Sequence, residues 1–190
     1  MTQPKIIVIS GPPCSGKTYF INQIKKSQTI RNNLTISSDF KVINANLIRK
    51  EKTIPEYHKS LLIHYDCLRN FKRNLSYEKS NDPFLEIIKE LKIDKIIFLV
   101  NKSHELTLRM EDRICRLQGS ISKERLDKLK RLKKLYLNSK QLNEEYLKWY
   151  DFCSTQIDSQ LCSWSTNSLK SNVSPLTLLQ PFDSNTQLTI

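Results

Sequence analysis

Apolar residues come in short unbroken runs: Ile6-Ile7-Val8-Ile9, Leu61-Leu62-Ile63 and Ile96-Ile97-Phe98-Leu99-Val100. A run without polar alternation belongs to a strand buried on both faces, as in a parallel sheet covered by helices. The pattern predicts strands over 5–10, 34–38 (weaker, ending at Asp39), 61–65 (ending at Asp66) and 95–100, with a fifth near 160–165. Helical spacing follows the first strand over 17–27 and the fourth over 103–117. No dinucleotide hairpin turn separates the strands, so alternation of strand and helix argues for an α/β fold: a three-layer parallel sheet of about five strands with helices on both faces. Beyond Gly119-Ser120, Leu126, Leu129, Leu132 and Leu135 recur among Lys, Arg, Glu and Asp. Leu142, Tyr146 and Trp149 continue an apolar face after a weak point at Asn138-Ser139. This segment is read as an amphipathic helix pair packed on the body, or more sharply as a basic lid or nucleic-acid face. The expected organisation is one domain over 1–180, with 123–150 a helical lid or appendage within it, and a loose tail over 181–190.

Composition narrows the function classes. The 190 residues hold 31 Lys and Arg against 19 Asp and Glu, a net charge of +12, and the 123–148 segment alone has nine basic and four acidic residues. Such a field favours anionic ligands, but a chain rich in Lys, Asn, Ile and Ser acquires positive charge by coding drift as readily, so charge does not choose the partner. The five cysteines include no C-x-x-C pair and have three histidines to assist them. Free thiols are expected rather than disulfides or zinc. No apolar run approaches the roughly 18 residues of a membrane span, and no secretory segment is recognised at the N-terminus. A soluble, cytoplasmic protein with no membrane partner is expected.

Only three residues are glycine, against about 13 at average usage of about 7%. Two of them bracket Gly11-Pro12-Pro13-Cys14-Ser15-Gly16-Lys17-Thr18, which fits G-x-x-x-x-G-K-[ST] and stands between an apolar strand and a helix. In such a loop, consecutive backbone N–H groups and a helix N-terminus converge on a phosphate chain. Lys17 would reach the β- and γ-phosphates and the Thr18 hydroxyl would ligate Mg²⁺.

On these residues the chain resembles the P-loop nucleoside triphosphate hydrolase superfamily, and within it the small P-loop kinases, over about residues 5–117. The resemblance implies a metal role for Asp66, at the end of its strand, although an Asp there also serves as a helix cap. Many motor and transport ATPases place Glu after that acid to activate water, whereas here the next residue is Cys67. The guanine-binding pattern is incomplete too, because His104 follows Asn101-Lys102-Ser103 where Asp is wanted, so ATP is expected rather than GTP. The resemblance further implies acceptor orientation or proton removal by Asp39. Arg109, Arg113 and Arg116 fall on one helical face and are similar to lid arginines that close over the transferring phosphates, Arg113 being first choice. Surface pairing with Glu105, Glu111 and Asp112 is the plainer alternative. His64 reads as a buried hydrogen-bonded histidine, Trp149 and Trp164 as core, and Thr166-Asn167 as lying where the adenine site often is.

The leading expectation is an ATP- and Mg²⁺-dependent phosphotransferase acting on a small anionic metabolite or nucleotide, with Lys17, Asp39, Arg109 and Arg113 catalytic, 11–18 binding the nucleotide and Thr18 with Asp66 on the metal. The rivals are a nucleic-acid-associated NTPase or polynucleotide kinase using Lys130, Arg131, Lys133 and Lys134, and a nucleotide-binding regulatory protein with little turnover.

Overall fold

A computed structural model describes residues 4–68, 77 and 80–165, and the backbone of 180–181. In chain order the elements are β1 (Ile6–Gly11), α1 (Lys17–Lys26), α2 (Gln28–Leu34), β2 (Phe40–Asn44), α3 (Ala45–Glu51), β3 (Ser60–Asp66), α4 (Pro83–Glu90), β4 (Lys95–Val100), α5 (Ser103–Leu117), α6 (Lys123–Leu137), α7 (Ser139–Gln156), β5 (Gln160–Ser165) and β6 (Gln180–Pro181). Five parallel strands lie in the order β2-β3-β1-β4-β5, and β6 adds antiparallel to the outer edge of β5.

Alternate residues of the apolar runs supply two separate cores, as the two-residue period of a strand requires. Ile6, Val8, Leu61, Ile63, Ile96 and Phe98 face α3 to α7, where Ile48, Phe84, Leu106, Tyr136 and Trp149 meet them. Ile7, Ile9, Leu62, Ile97 and Leu99 face α1 and α2, packing on Phe20, Ile24 and Leu34. Trp149 and Trp164 are 0% and 1% exposed and belong to these cores. The chain runs from β1 to the far edge, returns to β3 beside β1, then passes to β4 on its other side. Helices α1 and α4, after β1 and β3, consequently cover opposite faces, leaving a crevice at the carboxyl ends of these strands, where ligands of open α/β sheets bind.

The strand expected over 34–38 is not formed. Ile30 and Leu34, four apart, are the buried face of α2, whose start is capped by Ser27 accepting from the Ile30 N–H. Thr35 then turns in the left-handed region at φ 53°. The strand is Phe40–Asn44, after Asp39 rather than before it. Helices α3 and α4 were also not anticipated. Asp82 caps α4 by accepting from Phe84 N–H, with Pro83 at its first position. The helix pair at 123–148 forms as expected, breaking at Asn138, though α7 runs on to Gln156. Pro181, expected to begin a loose tail, pairs with Cys162. Among the described residues no helix is long and apolar enough to cross a membrane.

Candidate functional site

The 11–18 loop leaves the crevice end of β1. Gly11 lies in register with Asp66 of β3, so the start of the loop and the end of that strand are adjacent. A Cβ on Gly11 would stand 2.6 Å from Ser15 Oγ and 3.2 Å from the Leu99 carbonyl, so a side chain there would crowd the loop against β4. Gly16 caps α1 at φ 92°, a left-handed conformation that a side chain would strain. No side chain caps α1 and no acidic residue stands in its first turn, so its N-terminal field is not neutralised from within the helix.

Lys17 is 4% exposed, and its ammonium is spent inside the loop. Nζ donates to the carbonyls of Gly11 (2.8 Å) and Pro12 (2.7 Å) and pairs with Asp66 Oδ1 at 2.8 Å. Burial pushes the Asp66 carboxyl up, but the Lys17 charge and hydrogen bond, with His64 and Arg113, outweigh it and hold Asp66 below the usual carboxylate range. Asp66 is thus a carboxylate at neutral pH. Cys67, by contrast, is fully buried and its thiol is pushed up to about 12, mainly by burial, so it offers no base.

Beside Asp66, His64 meets Asn44 at the end of β2. Asn44 Oδ1 accepts the Asn46 N–H at 2.8 Å as the cap of α3. That leaves Asn44 Nδ2 facing His64 Nδ1 at 3.4 Å, so the neutral ring accepts at Nδ1 and keeps its proton on Nε2. Burial, then the Lys17 charge, lowers the His64 pKa and favours that neutral ring.

A cavity of about 740 Å³ opens over the loop. Pro13, Cys14, Gly16, Lys17 and Thr18 form its floor; Asn44, Asn46, His64 and Asp66 form one wall. Helices α5 and α6 form the other, with Arg109, Arg113 and Arg116 from α5 and Arg125 and Lys128 from α6. This second wall touches the floor directly. Arg109 Nη1 donates to the Cys14 carbonyl at 3.4 Å, Arg113 Nη1 lies 3.9 Å from Cys14 Sγ, and the Tyr136 hydroxyl donates to the Pro13 carbonyl at 2.9 Å.

Of the residues singled out from sequence, Pro13, Cys14, Gly16, Lys17, Thr18, Asp66, Arg109, Arg113 and Arg116 line this cavity, while Gly11, Pro12 and Ser15 lie outside its lining. Asp39 does not line it either. It precedes β2, at the opposite end of the sheet, where it is 67% exposed and pairs with Lys59 at 2.6 Å. Its expected role rested on β2 ending at Asp39; with β2 running Phe40–Asn44, Asn44 holds the carboxyl end instead. His64, read as a core histidine, is half-buried and lines the cavity. Asn44, Asn46, Arg125 and Lys128 were missed, and only the cap pattern of Asn44 before an apolar helical segment could have indicated β2's true end. Thr166-Asn167 lies outside the described residues.

No known protein family matches the chain, and no curated protein matches it. Among the described residues there is also no cluster of three or more His, Cys, Asp or Glu that could hold a metal ion unaided. The site must therefore be read from its own chemistry.

Proposed function

We propose that the 11–18 loop is a phosphate loop and that the protein is an ATP- and Mg²⁺-dependent phosphotransferase acting on a small anionic acceptor. The observation that carries this reading is the convergence, in one cavity, of the strand–loop–helix, Lys17, a charged Asp66 and the α5 arginines. Lys17 would exchange its loop carbonyls and Asp66 for the β- and γ-phosphates, a trade of one set of charge-assisted bonds for another. The Thr18 hydroxyl and the Asp66 carboxylate suit Mg²⁺, a hard ion that takes one or two protein oxygens and completes its shell with phosphates and water. When bound, Mg²⁺ neutralises charge on the phosphate chain.

In the transfer the bond between the γ-phosphorus and its bridging oxygen breaks, ADP departs with that oxygen, and a new bond joins the γ-phosphorus to an acceptor oxygen. The proton of an acceptor hydroxyl passes to solvent as the bond forms. Arg113 and Arg109, which reach Cys14 of the loop, would stabilise charge on the transferring group, and α5 with α6 would serve as the lid. Cys67 beside Asp66 supplies no base for water, which supports transfer over hydrolysis. A polynucleotide reading draws on Lys130, Arg131 and Lys134, which are exposed but lie outside the cavity lining, so it has the weaker support.

The experiment is incubation with ATP labelled at the γ-phosphate, Mg²⁺ and a panel of phosphorylated and carboxylated hydroxy compounds. Label should appear on an anionic acceptor and exceed release as free phosphate. Release of phosphate with no labelled acceptor across the panel would contradict transfer.

A further inference from the structure

The cavity holds more positive charge than the nucleotide end requires. Lys17 pairs with Asp66, Arg109 with Glu105 at 3.1 Å and Arg116 with Asp112 at 2.7 Å. Among the described residues, Arg125 and Lys128 form no ion pair and no side-chain hydrogen bond, yet both line the cavity. The position of Arg125 is unfavourable for the helix itself. Arg125 lies in the first turn of α6, capped by Ser122, where the helix field disfavours a cation, and Lys128 follows in the next turn. Both are exposed and line the cavity, whereas Lys130, Arg131 and Lys134 are exposed outside its lining. Arg113, half-buried, faces the same space from α5 and likewise forms no ion pair among the described residues. Arg125 and Lys128, two cations with no carboxylate partner among the described residues, suit an anion on this wall beyond the one that Arg113 would serve.

The opposite wall has different chemistry. Asn44 and Asn46 are amides, and Asn44 Nδ2 lies 3.4 Å from His64 Nδ1 on that wall. Such groups hydrogen-bond hydroxyls and ring heteroatoms without demanding charge. We propose that the acceptor is a phosphate monoester of a small hydroxylated molecule: its phosphate sits against Arg125 and Lys128, and its uncharged body against Asn44, Asn46 and His64. This inference rests on the phosphotransferase reading and adds a second anion site, separate from the phosphate loop. Two charge-assisted contacts to a compact dianion suit an Arg fork beside a Lys point charge.

The test is calorimetric titration of inorganic phosphate, at constant ionic strength, into protein saturated with a non-hydrolysable ATP analogue and Mg²⁺. One phosphate should bind per chain. Arg125→Ala with Lys128→Ala should weaken that phosphate by about ten- to a hundredfold, the loss expected for charged hydrogen bonds. Lys130→Ala with Arg131→Ala, which removes the same net charge from the outer face, should leave it within about threefold. Nucleotide uptake without phosphate uptake, or equal weakening by the two double variants, overturns the second site and leaves the phosphate loop standing. Failure of the ATP analogue to bind overturns the parent reading and this inference with it.

Discussion

Arg113→Ala should slow phosphoryl transfer by about three orders of magnitude or more while leaving ATP affinity within about threefold, since an arginine on the transferring group is worth about 10³–10⁵ in rate. The side chain reaches the loop at Cys14 and has no ion-pair partner among the described residues to satisfy first. Arg109 differs. It is already paired with Glu105 and donates to the Cys14 carbonyl, so Arg109→Ala should loosen the loop and weaken nucleotide binding as well as transfer. Single-turnover rates at saturating ATP, set beside equilibrium binding, separate these effects. An affinity loss in Arg113→Ala with the saturated rate unchanged would mean that Arg113 holds the bound nucleotide and the transition state equally and does not drive transfer.

The second large effect lies away from the cavity. Asp82→Ala should destabilise the fold by about 3–5 kcal/mol, the usual result of stranding one member of a buried ion pair. Arg49 and Asp82 are 9% and 5% exposed at their side chains, and the guanidinium grips both carboxylate oxygens at 2.7 and 2.9 Å. The same guanidinium lies over the Tyr65 and Phe84 rings at 5.4 and 5.5 Å, so water cannot readily replace the lost partner. Asp82 is also the cap of α4. Asp82→Asn keeps the cap oxygen and should lose less. The pair fixes α3 to α4, and α3 starts at Asn44, so loosening it also loosens the uncharged wall of the cavity. At about 2–4 °C per kcal/mol for a chain of this size, Asp82→Ala should melt about 6–20 °C lower, which urea and thermal unfolding will register. A change under about 1 kcal/mol would mean that solvent reaches Arg49.

The central strands were legible because burial on both faces writes an unbroken apolar run, and β1, β3 and β4 each carry one. The edge strand β2 was not. Phe40-Lys41-Val42-Ile43-Asn44 buries one residue fully, so its pattern is mostly that of a surface segment, while Leu34 and Ile36 nearby imitate a strand from a helix end and a turn. Misplacing β2 moved the acceptor acid to Asp39 and concealed Asn44. The loop residues 11–18 were legible because glycine is favoured at two places, by crowding at Gly11 and by a left-handed backbone at Gly16. Arg125 and Lys128 carry no such restriction. They look like any solvated helix face until the packing of α6 against α5 brings them over the loop.

The most direct test of nucleotide binding at the phosphate loop is thermal unfolding with and without ATP and Mg²⁺, on the native chain and on Lys17→Met, which retains the buried stem but not the ammonium. Ligand at about a hundred times Kd adds about 2.7 kcal/mol, or about 5–11 °C for a chain of this length. The native chain should show that rise and Lys17→Met should show none. No rise in the native chain, or an equal rise in Lys17→Met, would contradict a phosphate loop at 11–18.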